Sequence, residues 1–430
     1  MNQSNYQNAW CLYDWAISAW SITIITFVFS SYFAQHLATS PEQGIIQWGK
    51  MLSVSGILIA TLSPILGSIA DKNKSQYHWL KFTTLITAVC AFLLWFANPD
   101  HSNTTYLLIM VGIGSISFEF SQVFYNSMLA DVTTKDNVLK ISSRGWSLGY
   151  LGGLSCLAIA LFLFLNDSSS LIKLKQSTCQ HIRIVGPLVG LWILAFSFPL
   201  IHKPLSLSKI IFNYSEFNKS TSNVISSIRK ANPKKPIFKF LIARTLYSDG
   251  LTTITSFTGI FATTLFHLPL SSLLTLGISA NICSAIGAFS CSKFSTEWLK
   301  PLLAISLIGL IISSTCLIFS TSQVKFWVLA LTISTFAGSL QSLCRSIMTV
   351  MTPTSKRSEM FGFYKFAGKS TSFIGPLAVS SITYITHSQR LGLSVVVVFF
   401  IAGLYLLKDI PIGKRKSNYL SNKLATSQAA

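Results

Sequence analysis

The sequence predicts an all-α integral membrane protein, with twelve transmembrane helices in two pseudo-symmetric six-helix bundles. Three observations predict it. The chain is too apolar for a water-soluble domain, apolar runs fill nearly its whole length, and its second half repeats the motif order of its first. Of 430 residues, 50% are hydrophobic and only 11% are charged, against about 25% charged in average proteins. Runs such as ITIITFVFSSYFA and LGLSVVVVFFIAGLYLL suit a hydrocarbon core that takes roughly 20 apolar residues per helix. Lipid offers backbone groups no partner, so the runs must be helices or a closed barrel. Barrel strands of about 10 residues are too short to account for them.

The segments fall near 12–36, 47–70, 79–98, 105–130, 145–166, 183–202, 239–264, 270–292, 298–320, 325–350, 360–386 and 390–408. The first opens with Tyr13-Asp14-Trp15-Ala16, and the second ends in the turn GSIADK at 67–72. The fourth carries FSQVFYNSML, and the fifth carries GYLGG at 149–153. Residues 203–238 form a polar Ser-, Asn- and Lys-rich linker that includes RKANPKKP. The linker divides a first bundle, 1–202, from a second, 239–408, which is followed by a basic tail, 409–430. The seventh segment contains YSDG, the eighth ends in GAFSCSK at 287–293, and the tenth reads SLQSLCRSIM. Aligning the tenth with the fourth sets Gln341 against Gln122, Arg345 against Asn126 and Ser346 against Ser127. SFIGP at 372–376 then matches GYLGG. Two similar halves suit a transporter that rocks around a central site. Gly145, Gly149, Gly152 and Gly153 on the fifth segment, and Gly368, Gly375 and Pro376 on the eleventh, allow close packing through small residues.

The net charge of +20 follows from topology. With the N-terminus in the cytoplasm, nearly all Lys and Arg fall in inside loops, the linker and the tail. The outside set is Lys50, Lys173, Lys175, Arg183, Lys325 and Arg390. This bias sets orientation, so both termini are expected to be cytoplasmic, and nucleic acid is not expected as a partner. The chain begins MNQSNYQN without a basic stretch, so no cleaved signal peptide is expected. Of the eight cysteines only Cys179 falls in a loop, and no CxxC occurs. Neither a disulfide framework nor a metal site is indicated. No phosphate loop with GK[ST], HExxH or nucleophile elbow appears, so no enzyme and no cofactor is expected.

Glu119 is the strongest site signal. A charge at a helix centre costs roughly 2.5–3.5 kcal/mol to insert, so it normally faces a cavity or a partner. Gln122 and Asn126 share its helix face. Three roles stay open for Glu119: a proton site, a contact for a substrate ammonium group, or a fixed pair with Arg244 or Arg345. Asp14 and Asp249 occupy similar places in segments one and seven, with Arg244 in the same apolar run as Asp249. Asp14 is either functional or a wet helix-end acid. Gln341 reads as a cavity residue. Arg345 reads as a gate or phospholipid contact as readily as a substrate grip. Tyr125, with Trp15, Trp20 and Tyr150, offers aromatic walls. Asp71, Lys72, Asp131, Lys135, Asp136, Lys140 and Arg144 sit where salt bridges would close a cytoplasmic gate, beside the basic stretch TPTSKRSEMFGFYKFAGK.

These motifs together resemble the vacuole effluxer family of permeases, a branch of the major facilitator superfamily. The resemblance rests on CLYDWAISAWSITIITFVFSSYFA, VFYNSMLADV, SSRGWSLGYLGG, ARTLYSDGLTT, GSLQSLCRSI, MFGFYKFAGKSTSFIGP and SQRLGL. It implies the two-bundle fold of that superfamily, alternating access and export of amino acids. It also implies a path lined by segments one, four, seven and ten. One departure is the turn after segment two, where Lys74 stands in place of a common glycine and Ser75 and Gln76 replace basic residues. The expected function is a secondary transporter, driven by protons, of amino acids or similar small metabolites. It would work as a monomer, in the inner membrane of a bacterium or the vacuolar membrane of a fungus. A transporter of organic anions or peptide-like solutes and a non-transporting scaffold or receptor are the alternatives.

Overall fold

The computed structural model describes residues 3–165, 174–202, 214–229, 232 and 235–412. Twelve helical passes run in order. The first half holds α1 (Gln3–Leu37), α2 (Pro41–Asn73), α3 (Gln76–Leu93), α4 (Thr104–Ser127), α5 (Val138–Ala160) and α6 (Val185–Ile201). A linker helix spans Tyr214–Arg229. The second half holds α7 (Pro236–Phe266), α8 (Leu270–Cys291), α9 (Leu299–Ile318), α10 (Gln323–Met351), α11 and α12 (Gln389–Leu407). α11 is broken into α11a (Arg357–Ser370) and α11b (Ile374–Thr386). Ten of the passes are long and apolar enough to cross a membrane by length and composition alone. The other two are α7, which carries Arg244, Asp249 and many Thr and Ser, and the interrupted α11. Half of the RKANPKKP stretch (residues 230, 231, 233 and 234) and residues 413–430 of the tail lie outside the described residues.

Each helix end shows why the chain turns there. Ser40 caps α2 by accepting from the Gln43 N–H, with Pro41 in the first turn. Proline fits there because that position has no carbonyl to donate to. The far end of α2 closes on Lys74 at φ 49°, the left-handed conformation that glycine adopts most readily. The turn therefore forms despite the missing glycine. α1 is not uniform: its turns widen over Trp20–Val28 and Phe33–Leu37.

Each half buries its own apolar core. The first gathers Trp10, Tyr13, Phe29, Phe33 and Phe124, and the second Phe240, Phe261, Leu307, Met348 and Phe400. Polar contacts fix which ends share a side. Gln7 Nε2 donates to the Val132 carbonyl, Lys72 pairs with Glu216 at 2.7 Å, and Lys239 pairs with Asp409 at 2.7 Å. Lys300 Nζ donates to the Lys408 carbonyl at 2.7 Å. The first residues of α1, the linker helix and the end of α12 thus share one side, called here the linker side.

The halves meet tightly on that side. Asp71 at the end of α2 accepts the backbone N–H groups of Ser358 (2.9 Å) and Glu359 (2.8 Å). It supplies a carboxylate to the N-terminus of α11a, where backbone donors have no helical partner and the helix dipole favours negative charge. Gly67 makes this approach possible, because a Cβ there would collide with the Ser358 carbonyl. Gly67→Val should therefore force α2 from α11a at a cost of about 1–3 kcal/mol, the range for overpacking. Spin labels on the exposed positions Lys135 and Ser355 should report a longer, broader distance in this variant than in the parent. An unchanged distance would show that the contact does not hold the linker side shut.

Candidate transport path and gate

Asp14, Asn126 and Arg345 come together at the linker side of the bundle. Arg345 Nη1 lies 2.7 Å from Asp14 Oδ2 and 3.3 Å from Asn126 Oδ1. Its Nε donates to Ser142 Oγ at 3.0 Å and its Nη2 to the Ser142 carbonyl at 2.5 Å. The guanidinium lies 4.8 Å from the Trp10 ring centroid and 5.3 Å from that of Trp146. Arg345 is only 1% exposed, so it does not touch phospholipid. Asp14 is not a wet helix-end acid either, because α1 continues past it to Gln3 and buries it. Gly145 gives the pair its room: a Cβ there would sit 2.8 Å from Asp14 Oδ2 and 2.9 Å from Arg345 Nη2. Tyr125 is wholly buried, donates to the Trp10 carbonyl at 2.9 Å and stacks on Trp10 at 4.2 Å. It packs the floor and does not wall a cavity.

Glu119 reaches across to the second half, but not to Arg244 or Arg345. Its carboxylate meets Lys365 Nζ at 2.5 Å and Lys369 Nζ at 2.9 Å. The reason is geometric. α11a runs beside this face of α4, while Arg345 is already taken by Asp14. The sequence reading missed both lysines as site residues. Their spacing of four within MFGFYKFAGK puts both on one helix face, and that was the available signal.

Arg244 and Asp249 do not pair. Arg244 Nη1 donates to the Tyr364 carbonyl at 2.7 Å, and its guanidinium sits 3.3 Å from the centroid of the Tyr364 ring. Asp249 is buried and accepts from Thr371 Oγ1 at 3.0 Å, with no cation in ion-pair contact among the described residues. Gln122 is buried and Gln341 half-buried, and neither side chain makes a hydrogen bond among the described residues.

The gate residues divide. Asp71 caps α11a, Lys72 pairs with Glu216 of the linker helix, and Asp131 pairs with Arg357 of α11a. Arg144 is a correction: it is exposed, makes no ion pair among the described residues, and sits in a groove with Leu12, Leu148 and Phe289. One turn of α5 past Lys140, it points away from the seam that Ser142 and Ser143 occupy. Lys135, Asp136 and Lys140 are likewise exposed and form no ion pair among the described residues.

Depth orders these contacts. Among the described residues, hydrogen bonds between halves include those of Asp71, Ser127, Asp131, Ser142, Ser143, Thr296 and Arg345, with Glu119 at mid-depth. At the far side the bonds stay within one half, as from Tyr32 to the Ala97 carbonyl, Arg390 to the Ile318 carbonyl and Gln323 to the Phe266 carbonyl. α2 and α11 separate toward that side around a cavity of about 860 Å³, lined by Gly56, Thr61, Arg244, Ser248, Lys365 and Lys369 among others.

Two helical halves sealed on one side, around a charged cavity at mid-depth, define a transporter of the major facilitator superfamily. Solved structures agree with the fold. The human organic anion transporter MFSD10 (TETRAN) superposes with a TM-score of 0.75 at 11% identity, covering 95% of this chain and 100% of that one. The proton:xylose symporter XylE superposes at 0.71 and 13% identity, covering 96% of each chain. A bacterial homologue of the iron transporter ferroportin, in an outward-facing state, reaches 0.67 at 12% identity over 94% of this chain and 98% of that one. Within the superfamily, the chain belongs to the family described as vacuole effluxer Atg22 like, whose model matches residues 48–419. The MFS-type transporter YxiO of Bacillus subtilis is 26% identical over 415 residues, 94% of each chain. Autophagy-related protein 22 of Kluyveromyces lactis is 27% identical over 407 residues, 85% of this chain and 80% of that one.

Removing one partner of a buried ion pair leaves the other charge uncompensated, at about 3–5 kcal/mol. Asp14→Asn should therefore lower the melting temperature sharply. Asp14→Leu combined with Arg345→Met should recover most of the loss, because an apolar pair of similar volume carries no such penalty. Equal losses for single and double variants would show that the pair is not coupled as its geometry indicates.

Proposed function

We propose that the chain is a proton-coupled secondary transporter of amino acids or similar small metabolites, working by alternating access as a monomer. One observation carries the mechanism: among the described residues, hydrogen bonds between halves crowd the linker side, while those at the far side stay within each half. A bundle joined this way opens its cavity to one side and needs those bonds broken to open it to the other. The density of Lys and Arg on the linker side supports reading that side as cytoplasmic. The described form is then outward-facing, and both termini are cytoplasmic. Residues 1–202 and 239–408 act as the two moving bodies. The membrane is the inner membrane if the source is bacterial and the vacuolar membrane if it is fungal. The resemblance to vacuole effluxers supports the amino-acid class.

Asp249 is the better proton carrier of the two mid-depth acids. Glu119 already has two ammonium partners, so a proton would have to displace them. Asp249 has one hydroxyl donor and no cation in ion-pair contact among the described residues, so a proton on it displaces no salt-bridge partner. It lies on α7, beside the break in α11 at Thr371, where a change of charge acts on a helix already interrupted.

The test is flux in proteoliposomes under an imposed pH gradient. A pool of amino acids and small organic acids is followed by mass spectrometry. Wild type should concentrate at least one solute. Asp249→Asn should still exchange that solute without concentrating it. Concentration by the variant would remove Asp249 from the coupling role. If nothing moves in wild type while a control transporter works, the transport of small metabolites is wrong.

A further inference from the structure

We infer that the transported solute is an anion whose oxyanion group binds Lys369 and Arg244 and takes the place of Glu119. This rests on the transport reading above and names the class of solute. The cavity of about 860 Å³ has the size of a small-molecule site. Its charged lining is Arg244, Lys365 and Lys369, set among the hydroxyls Ser53, Thr61, Ser248, Thr252, Ser370 and Ser372. Among the described residues no carboxylate lines it. The nearby acids are Glu119, which meets the lysines from α4, and Asp249, which Thr371 holds. Three cations thus face two carboxylates, and one positive charge is left without a partner.

The surplus is concentrated on Arg244. One of its five N–H donors is spent on the Tyr364 carbonyl and its face on the Tyr364 ring. It lies against Gly368, where a Cβ would come within 3.0 Å of Nη1, so it is a neighbour of Lys369 as well. An unpaired cation away from bulk water is costly, and a bound anion with charge-assisted hydrogen bonds removes that cost. A zwitterion with no net charge or a cationic solute would leave the surplus in place.

Lys369 is the partner that exchanges. Its side chain is 38% exposed, against 20% for Lys365 and 14% for Glu119. A solute oxyanion reaches it from the cavity while Lys365 still holds Glu119. The exchange also bears on conformation. Glu119 belongs to the first half and both lysines to the second, so the bridge ties the halves at mid-depth. An anion that replaces Glu119 on Lys369 loosens that tie as it binds. Solute occupancy and the freedom of the halves to move are then linked through one carboxylate.

The test is counterflow in liposomes of phosphatidylcholine alone, which removes anionic lipid headgroups as competing occupants. The solutes are succinate, glutamate, phosphate, leucine and lysine, each labelled. At least one of the three anions should move. Movement of phosphate alone would assign the site to phosphoryl oxyanions, and movement of succinate or glutamate to carboxylates. For the anion that moves, Lys369→Met should raise KM by roughly tenfold or more, as for loss of one charge-assisted hydrogen bond. Glu119→Gln should lower KM, because it removes the resident competitor, a direction that simple structural damage would not produce. Melting curves of both variants establish that they fold. The inference falls if leucine or lysine moves and the anions do not, an outcome that leaves the transport reading standing. It also falls if Lys369→Met and Arg244→Met leave the anion's KM unchanged. Absence of movement by any solute removes the transport reading and this one with it.

Discussion

Arg345 is an arginine of the second half buried in the floor of the first, and the closed linker side is organised around it. It satisfies Asp14 of α1, Asn126 of α4 and Ser142 of α5 at once. Three helices of one half therefore converge on a single guanidinium from the other. Arginine suits the position because its planar fork donates in several fixed directions, and it stacks on aromatic rings, here Trp10 and Trp146. Lysine, a single flexible point charge, would not span the same partners.

Around that centre the contacts grade outward in burial and in strength. Asp71 adds a helix cap, which works only while α11a lies against α2. Asp131–Arg357 and Lys72–Glu216 are more exposed, with Asp131 and Lys72 side chains 61% and 45% accessible. Exposed pairs of this kind contribute little, typically below about 1 kcal/mol. They set register more than they hold the sides together. The seal is therefore carried by the buried pair, the cap and the close approach at Gly67, with the surface charges gathered around it.

The fold was legible because lipid leaves few options. Apolar length, loop charge and the repeat of Gln122 in Gln341 already pointed to two helical halves. The polar face of α4 was legible for the same reason: Glu119 cannot face lipid cheaply. Its partners were not legible. Periodicity places residues on a face, but it does not say which helix of the other half lies opposite. Lys365 and Lys369 were hidden inside a basic stretch that overlaps the start of the eleventh segment, because α11 breaks at Thr371 and its first half is short and polar. Arg345 read as a gate, a phospholipid contact or a substrate grip, and its burial depended on α5 presenting Gly145 and Ser142 there, a tertiary fact. Arg144 misled for the converse reason: it is adjacent in sequence to the seam residues but lies on the opposite face of α5.

A gate built on a buried ion pair must still open, and its chemistry makes that possible. Separation exposes Arg345 and Asp14 to water, which restores the hydration each gave up on burial. That recovered solvation offsets most of the lost attraction, so a buried pair can be highly specific while adding little net stability. The difference between sealed and open states can then be a few kcal/mol, within reach of a ligand that binds one state better. The same reasoning governs mid-depth. The Glu119 bridge is partly exposed on the lysine side, and a solute oxyanion can take over one arm without first leaving a lysine bare. Replacement costs less than rupture. A carrier that must cycle many times is served better by ties that a solute can exchange than by ties that thermal motion must break unaided. The arrangement of charges fits that logic, with the Asp14–Arg345 pair deepest and the Glu119 bridge nearest the cavity.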